Sequence, residues 1–359
     1  MTAAATSAPI GVLVAQLGTP QAPTAAALRP YLRQFLSDRR VIDYNPFLWQ
    51  PILRGIILRT RPRRSARLYQ RIWREDGSPL LYYSQAQVRG LQERLGSAYR
   101  VILGMRYGQP GIKSALQTLE SEGIDRIIAL PMYPQYSSTT TASIYDAVFA
   151  AAAGRNGTFL NDRKRFIPAL RLVPPFYQHP GYIDAMRQRI QDAVHFSGQP
   201  DRFIITFHGV PNRYIQTGDP YRQQCEWTAH RLAAALNLRD DQWQICFQSR
   251  FGPEEWLQPY TSEVLEGLHH AGVERVLVFS PGFVADCLET LDELGNEGRS
   301  EFVQGGGEPE NFTFVPCLND QPQWLDTLAS IVRSEAHGWV EPAHTAVPLP
   351  TADRLQPTM

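Results

Sequence analysis

Short runs of β-branched and other apolar residues alternate along the chain with longer stretches in which apolar residues recur at helical spacing. The first run covers Ile10 to Leu17. Later runs follow at residues 99–105, 126–133, 166–173, 203–207, 243–248, 275–280 and 312–316. Strands that alternate with helices in this way are typical of βαβ units on a parallel sheet. The pattern therefore predicts an α/β fold with parallel sheets flanked by helices.

Two helices have clear signals in the first third of the chain. Residues 24–37 are rich in Ala and Leu at helical spacing, and Pro30 is expected to divide this segment. Ser78 and Pro79 form an N-cap and first-turn pair, which predicts a helix that continues to Gly96.

The alternation breaks from about residue 155, where the sequence becomes rich in Gly, Asn and Arg. A chain of 359 residues is also longer than one hydrophobic core usually fills. We therefore predict two Rossmann-like domains, at residues 8–165 and 166–338, and a flexible tail at residues 339–359. The last helix of the second domain can pack back on the first. A cleft is expected between the domains, at the carboxyl ends of their strands.

The composition narrows the class of protein. Hydrophobic residues make up 43% of the chain and charged residues 19%, so the sequence can form a sizeable core. Thirty-five basic residues balance thirty-five acidic ones, which argues against nucleic-acid binding. The four cysteines are scattered without a CxxC pair, and no apolar run is long enough to span a bilayer. We therefore expect a cytoplasmic protein in a reducing compartment.

One histidine directly follows a predicted buried strand. The run FIITF ends at His208, and Gly209 to Pro211 then turn the chain. A lone histidine in such a place is more often a core residue bonded to backbone. The long polar loop that follows, NRYIQTGDPY, favours a functional site instead.

A second predicted strand, VLVFS, leads into an acidic helix. Asp286 and Glu289 are three residues apart, which places both on one face of its first turn. A solvated acidic face is the alternative interpretation. If the two strands are neighbours, His208 and Glu289 converge, and such a pair suits a divalent first-row metal and proton transfer.

Aromatic residues follow several of the predicted strands. They include Tyr107, Tyr133, Tyr136, Trp256 and Tyr260. Together they favour a cleft for a large, flat, apolar molecule. No GxGxxG motif follows the first strand, and neither a GxxxxGK[ST] nor a GxSxG motif occurs, so the sequence offers no dinucleotide site, P-loop or nucleophile elbow.

Residues 46–58 form an apolar patch followed by the basic run RTRPRRSAR. The patch is either a buried helix pair or an exposed lip that meets a membrane or an apolar ligand. On the second interpretation we predict peripheral membrane contact. The residues involved are Phe47, Leu48, Trp49, Ile52, Leu53, Ile56 and Ile57, with Arg59, Arg61, Arg63 and Arg64 at the edge.

Six sequence segments resemble the ferrochelatase family, most closely its proteobacterial branch. They are AQLGTP (15–20), FLSDRR (35–40), MYPQYSSTTT (132–141), FHGVPNRY with GDPY (207–221), QSRFGPEEWLQPYT (248–261) and PGFVADCLETLDEL (281–294). The resemblance extends over residues 10–337. It implies insertion of Fe(II) into protoporphyrin IX to form protohaem, with release of two protons.

The resemblance also implies roles for individual residues. It places the catalytic and iron-binding roles on His208 and Glu289, and the opposite wall of the cleft on Arg106 and Tyr107. The full set of substrate-binding candidates is Leu17, Arg71, Ser84, Arg106, Tyr107, Trp256 and Asp286. Arg71 and Ser84 belong to it as candidates for the propionates of the porphyrin.

Three departures from the family pattern refine this expectation. Ser138 stands where members with an iron-sulfur cluster have a cysteine, and the C-terminal cysteine group is missing, so we predict no cluster and no resident cofactor. Leu17 replaces a tyrosine of the coproporphyrin-using branch, which favours protoporphyrin. Cys287 replaces a histidine of animal members. We further expect a monomer, cytoplasmic or peripheral to the inner membrane.

Two other functions fit parts of this pattern. The first is a chelatase for another tetrapyrrole or another metal, although such relatives are shorter and lack the FHGVPNRY and GDPY segments. The second is a binding protein that captures porphyrin or haem without catalysis.

Overall fold

The computed structural model describes residues 8–154 and 164–339, so most of the predicted tail at 339–359 lies outside the described residues. Within these ranges the strands are β1 (Ile10–Thr19), β2 (Tyr99–Gly108), β3 (Arg126–Pro131), β4 (Ala169–Leu172), β5 (Arg202–His208), β6 (Trp243–Gln248), β7 (Val276–Phe279) and β8 (Phe312–Phe314). Each run predicted from the sequence overlaps one of them.

The α-helices in the same ranges are α1 (Ala25–Leu36), α2 (Pro46–Ile52), α3 (Leu58–Ile72), α4 (Pro79–Leu95), α5 (Ile112–Ser121), α6 (Ser143–Ala152), α7 (Pro180–Ser197), α8 (Asn212–Gln216), α9 (Tyr221–Ala235), α10 (Thr261–Gly267), α11 (Arg299–Gln304) and α12 (Pro322–Glu335). Segments of π-helix cover Leu53–Ile57, Ser138–Ala142 and Glu289–Gly298, and short 3₁₀ turns cover Asp240–Gln242, His269–Ala271 and Pro309–Asn311.

The described strands form two four-stranded sheets with the same topology. The order is β2-β1-β3-β4 in the first sheet and β6-β5-β7-β8 in the second, and every pairing is parallel. The predicted α/β fold is confirmed. In each sheet the chain crosses from one side of the first strand to the other, which creates a switch point beside β1 and beside β5.

The strand predicted at 166–173 lies in a different sheet from the one expected. We predicted it at the start of the second domain, but β4 pairs in parallel with β3, with Arg126 opposite Ala169. The hydrogen bonds of this edge strand are therefore made in the first sheet, and the boundary placed at residue 165 separates β4 from its partner. The chain leaves the first sheet only after Leu172.

A shared core joins the two sheets. One cluster of buried apolar side chains includes Val12 of β1 and Ile205 of β5. The last helix, α12, packs against α4, where a Cβ atom at Gly90 would lie 2.4 Å from Leu325. A glycine at residue 90 thus lets the two helices approach closely.

Helix α1 is continuous through Pro30, so the predicted division of this segment is wrong. Thr24 caps the helix by accepting a hydrogen bond from the backbone of Ala27. The buried side chains Leu28, Leu32 and Leu36 recur every four residues and form one apolar face. Pro30 lies outside that face and is exposed. Burial of the leucines offsets the backbone hydrogen bond that proline cannot make.

Candidate active site

The carboxyl ends of the two sheets face a cavity of about 460 Å³. Its walls come from both domains: the turn after β1, helices α1 and α3 and the loop after β3 face the turns after β5, β6 and β7. Of the site residues predicted from the sequence, the cavity lining contains Leu17, His208, Trp256 and Glu289. These four therefore share one site, as their positions at strand ends predict.

His208 is the last residue of β5 and pairs in register with Gln248 of β6. Its Nδ1 lies 2.7 Å from the backbone oxygen of Gly209. A carbonyl oxygen only accepts hydrogen bonds, so Nδ1 carries the proton and Nε2 of the neutral ring keeps its lone pair. The ring lies between Trp256 and Phe283, at centroid distances of 6.4 and 6.5 Å. His208 is thus oriented as a base.

Gly209 is required because the segment that follows β6 approaches its backbone closely. A Cβ atom at this residue would lie 3.0 Å from the backbone oxygen of Gln248 and 3.3 Å from the ring of Trp256. The glycine therefore lets the turn after β5 pack directly against β6 and Trp256.

Glu289 begins a π-helix, where an α-helix was expected. The side chain of Gln248 donates a hydrogen bond of 2.8 Å to the backbone oxygen of Glu289. Gln248 is also opposite His208 in the sheet, so one residue connects the positions of the histidine and the glutamate. The strands β5 and β7 are neighbours, which is the condition on which the convergence of His208 and Glu289 was predicted.

Asp286 precedes this helix and does not share its face. Its side chain is buried, at 2% exposure, and is absent from the cavity lining. The carboxylate accepts hydrogen bonds from the hydroxyl of Thr290, the amide of Asn319 and the backbone of Cys317, at 2.9, 2.7 and 3.2 Å. The structure therefore places Asp286 beneath the helix start, where it holds the turn together, and not on the substrate cleft.

Glu293 also lines the cavity and was not selected from the sequence as a site residue. The Ser249 hydroxyl lies 2.7 Å from both of its carboxylate oxygens. Burial raises the pKa of Glu293, His208 lowers it and the charge of Glu289 raises it further. The spacing of four between Glu289 and Glu293 was visible in the sequence, and a π-helix brings residues four and five apart to a similar direction.

Ser249 holds this contact from an unusual backbone conformation. Its φ angle is 62°, in the left-handed region that disfavours residues other than glycine. Strained backbone of this kind is concentrated at functional sites.

The raised pKa of Glu293 has a consequence for stability. In the folded protein the carboxyl keeps its proton to a higher pH than in the unfolded chain, where the pKa is near 4.5. Folding free energy is therefore lost as the pH rises through the interval between the two values. Glu293→Gln removes that loss. We therefore expect the difference in Tm, variant minus wild type, to be larger at about pH 8 than at about pH 5.

The control is Glu308→Gln, which makes the same change at an exposed carboxyl outside the cavity. Its Tm difference from the wild type should be nearly independent of pH. A difference for Glu293→Gln that narrows as the pH rises would contradict the assignment.

Arg71 and Ser84 do not line the cavity. A guanidinium nitrogen of Arg71 lies 3.4 Å from Asp292 and 3.6 Å from Glu297. Ser84 is fully buried in α4, and its hydroxyl has no hydrogen-bond partner among the described residues. Neither side chain is placed to meet a propionate in this structure.

Arg106 and Tyr107 lie behind the cavity wall. Both donate hydrogen bonds to one carboxylate oxygen of Asp38, Tyr107 at 2.7 Å, and the ring of Phe35 stands between Tyr107 and the cavity at a centroid distance of 5.3 Å. Burial raises the pKa of Asp38, but the hydrogen bond from Ser143 and the charge of Arg106 outweigh it and lower the pKa overall. Arg106 and Tyr107 thus pack behind the residues that line the cavity and do not line it themselves.

Tyrosines that are buried or partly buried form much of the opposite wall. Tyr31, Tyr69 and Tyr133 all line the cavity, and burial is the largest cause of the raised pKa of each. The Tyr133 hydroxyl accepts a hydrogen bond of 3.0 Å from the backbone of Leu17, and the Tyr31 hydroxyl donates one of 3.3 Å to Gly18. These side chains stay neutral, so this part of the wall is aromatic and offers hydroxyl groups without a negative charge.

Comparisons with known proteins agree with this geometry. The fold is similar to that of SirB from Bacillus subtilis, solved with Fe³⁺, with a TM-score of 0.52 at 12% identity over 92% of this chain and 96% of that chain. The fold class is therefore that of α/β proteins with two parallel sheets flanked by helices. The sequence profile of the ferrochelatase family matches residues 9–336.

Curated relatives point to the same family. Proteins named ferrochelatase from Brucella canis and from Brucella abortus strain S19 are each 47% identical to this chain over 336 residues, covering 92% of both partners in each comparison. The chain belongs to the ferrochelatase family.

Proposed function

We propose that this protein inserts Fe(II) into protoporphyrin IX, with release of two protons, as the terminal step of haem synthesis. Family membership supports insertion of iron into a porphyrin. The observation that carries the proposal is His208, with Nε2 available as a base, in a cavity that it shares with Glu289 and Glu293. The other walls are largely apolar and aromatic, as a large flat ring requires.

Metal insertion needs a base because two pyrrole N–H protons must leave as the iron enters. Nε2 of His208 accepts a proton from a pyrrole nitrogen, and Nδ1 continues to donate to Gly209. The carboxylates of Glu289 and Glu293 stabilise the imidazolium that forms. Proton transfer to Glu293 and then to solvent near the half-exposed Glu297 regenerates the neutral ring, which then accepts the second pyrrole proton by the same route.

The iron is a substrate here and not a resident cofactor. Nitrogen and carboxylate oxygen are suitable ligands for Fe(II), so His208 and Glu289 fit its delivery to the ring. Binding the porphyrin in a bent form would expose its nitrogens to the metal and lower the barrier further. We propose no iron-sulfur cluster, since Ser138 occupies the position of a cluster cysteine. We also propose that the enzyme acts as a monomer.

A metallation assay tests the proposed function. Purified protein is given Fe(II) under anaerobic conditions with protoporphyrin IX or coproporphyrin III, and the metalloporphyrin is measured by absorbance. We expect turnover with protoporphyrin and much slower turnover with coproporphyrin, because Leu17 offers no hydroxyl to further carboxylates. A spectral shift on binding without metalloporphyrin would identify a porphyrin carrier instead.

The apolar patch at 46–58 supports a peripheral membrane contact. Phe47 is 90% exposed, and Leu48, Ile52 and Ile56 are exposed with it. Trp49 and Leu53, which were predicted to take part, are buried against α1, and the indole of Trp49 donates to the backbone of Leu36. The patch is thus partly buried and partly exposed, and its exposed side chains support the proposed contact. No helix in the described ranges is long and apolar enough to cross a membrane.

The exposed part of this patch gives a prediction for lipid binding. Phe47→Ser with Leu48→Ser should lower the partition coefficient for anionic liposomes at least about tenfold, because each apolar side chain can add up to about 1.5–3 kcal/mol when it is fully buried in the bilayer. Phe196→Ser is the control, since Phe196 is 88% exposed on α7. Equal liposome binding by the double variant and the wild type would contradict the proposed membrane contact. So would a wild type that does not bind liposomes.

A further inference from the structure

A second depression lies on the first domain, between α1 and the junction of the π-helix Leu53–Ile57 with α3. No described residue lines both this depression and the active-site cavity. Four of its eight described lining residues are arginines and none is acidic; the arginines, which define this arginine pocket, are Arg29, Arg33, Arg54 and Arg59. None of the four has a carboxylate within ion-pair distance in the part of the chain that the structure describes.

Arg29 is fixed by the helix on the other side of the arginine pocket. Its Nε donates a hydrogen bond of 3.1 Å to the backbone oxygen of Leu58, the first residue of α3. In a regular α-helix that oxygen would accept a hydrogen bond from the residue four positions later, but here that residue is Pro62, which has no N–H. Arg29 provides a partner for this oxygen and uses only Nε to do so. The terminal nitrogens of its guanidinium can therefore still donate to a ligand.

The four arginines are unfavourably placed unless an anion joins them. Arg29 and Arg33 are four residues apart on α1, which brings two like charges to one face of the helix. The helical run 46–72, which supplies the other two arginines, contains seven arginines and no acidic residue, although the net charge of the whole chain is zero. Positive charge is therefore concentrated around this pocket. An anion bound among the guanidinium groups would relieve their repulsion and accept charge-assisted hydrogen bonds.

Exposed apolar side chains lie on the same helical run. Ile52 and Ile56 are both exposed, and each is two residues from Arg54. Positions two apart do not share a face of a helix, so the isoleucines and the arginine leave the helix on different sides. This pattern is typical of a helix at a membrane surface, where apolar side chains enter the acyl chains and long basic side chains reach back to the headgroups.

A lipid phosphate fits this combination of features. The fork of N–H donors on a guanidinium matches two oxygens of a phosphate, and arginine is the usual partner of phosphate in proteins for that reason. A free phosphate would use the arginine pocket but leave the neighbouring apolar side chains in water. An anionic phospholipid supplies both the phosphate for the pocket and the acyl layer for Ile52 and Ile56.

We propose that the arginine pocket binds the phosphate of an anionic phospholipid and so fixes the orientation of the protein on the membrane. This inference rests on the membrane contact proposed above, since it takes the exposed apolar side chains to enter the lipid. It also changes which arginines take part. Of those predicted from the sequence at the membrane edge, Arg59 lines the arginine pocket, whereas Arg61 lines the active-site cavity.

The test compares vesicles of phosphatidylcholine alone, in which choline balances the phosphate charge, with vesicles that also contain phosphatidylglycerol. Partition coefficients of the full-length protein are measured by co-sedimentation. We expect the wild type to prefer the anionic vesicles, and Arg33→Gln with Arg54→Gln to weaken binding to them by about tenfold or more. Binding of this double variant to phosphatidylcholine alone should match that of the wild type.

The matched control is Arg64→Gln with Arg67→Gln. It removes two exposed arginines of α3 that lie outside the arginine pocket, and so makes the same change in net charge. We expect it to weaken binding to the anionic vesicles by less than about threefold. An equal loss in both double variants would show diffuse attraction of a basic surface and overturn the inference, as would unchanged binding by the pocket variant.

Glycerol phosphate distinguishes a lipid from a soluble phosphate as the ligand. Binding of glycerol phosphate that is lost in Arg33→Gln with Arg54→Gln, while vesicle binding is unchanged, would assign the arginine pocket to a soluble ligand and overturn the proposal. Failure of the underlying membrane contact would appear as a wild type that binds neither kind of vesicle. Iron insertion in the absence of lipid should be the same in all variants, because none of the substituted residues lines the active-site cavity.

Discussion

His208→Ala is expected to lower kcat for iron insertion by about 10²–10⁴-fold while the protein remains folded. The described residues of the cavity include no second imidazole that could accept the pyrrole protons. His208 is half-buried at a strand end, and its loss leaves the β5–β6 pairing intact because that pairing uses backbone atoms. The measurement is the initial rate with Fe(II) and protoporphyrin, accompanied by circular dichroism and Tm.

Two controls make this result specific. His195→Ala removes an exposed imidazole from α7 and should leave the rate unchanged. Added imidazole should restore part of the activity of His208→Ala, because the cavity left by the ring can admit a small base. A folded His208→Ala protein with wild-type turnover would remove His208 from the mechanism.

Most of the fold could be predicted from the sequence because its signals are local. Buried parallel strands are continuous apolar runs, and each predicted run overlaps a strand. The sheet to which β4 belongs could not be predicted in this way, since a short edge strand has no sequence feature that names its partner. Pro30 shows the reverse case. Proline normally interrupts a helix, but burial of the apolar face of α1 keeps this helix continuous.

In the candidate site, some residues could be predicted from local sequence and others depend on contacts between distant segments. His208 and Glu289 could be predicted because each follows a recognisable strand in a family motif. The π-helix could not, because its wider hydrogen-bond spacing depends on contacts such as that from Gln248 to Glu289. Arg61 was predicted at the membrane edge with its exposed neighbours, but its guanidinium carbon lies 4.7 Å from the ring centroid of Phe251 in the other domain. Side chains that meet across the two domains are thus the ones that sequence periodicity misplaces.

The two acidic residues that the sequence placed together are expected to behave differently on substitution. Glu289 lines the cavity, and its charge contributes to the raised pKa of Tyr31, Tyr69 and Tyr133. Glu289→Gln keeps the size of the side chain but removes its charge and basicity. We expect kcat to fall by about 10²–10³-fold with little change in Tm, because the glutamine side chain can still take part in the hydrogen bond that Glu289 makes with the Cys287 thiol.

Asp286→Asn should have the opposite signature. The Asp286 carboxylate accepts three hydrogen bonds in the core, from Thr290 and Cys317 at Oδ1 and from Asn319 at Oδ2. An amide nitrogen in place of either oxygen would face a donor. The lost charge-assisted bonds and the buried donor should destabilise the protein by about 2–4 kcal/mol. Thermal unfolding and single-turnover iron insertion, measured on both variants, separate the two roles. A stable Asp286→Asn protein with a catalytic defect as large as that of Glu289→Gln would return Asp286 to the reaction path.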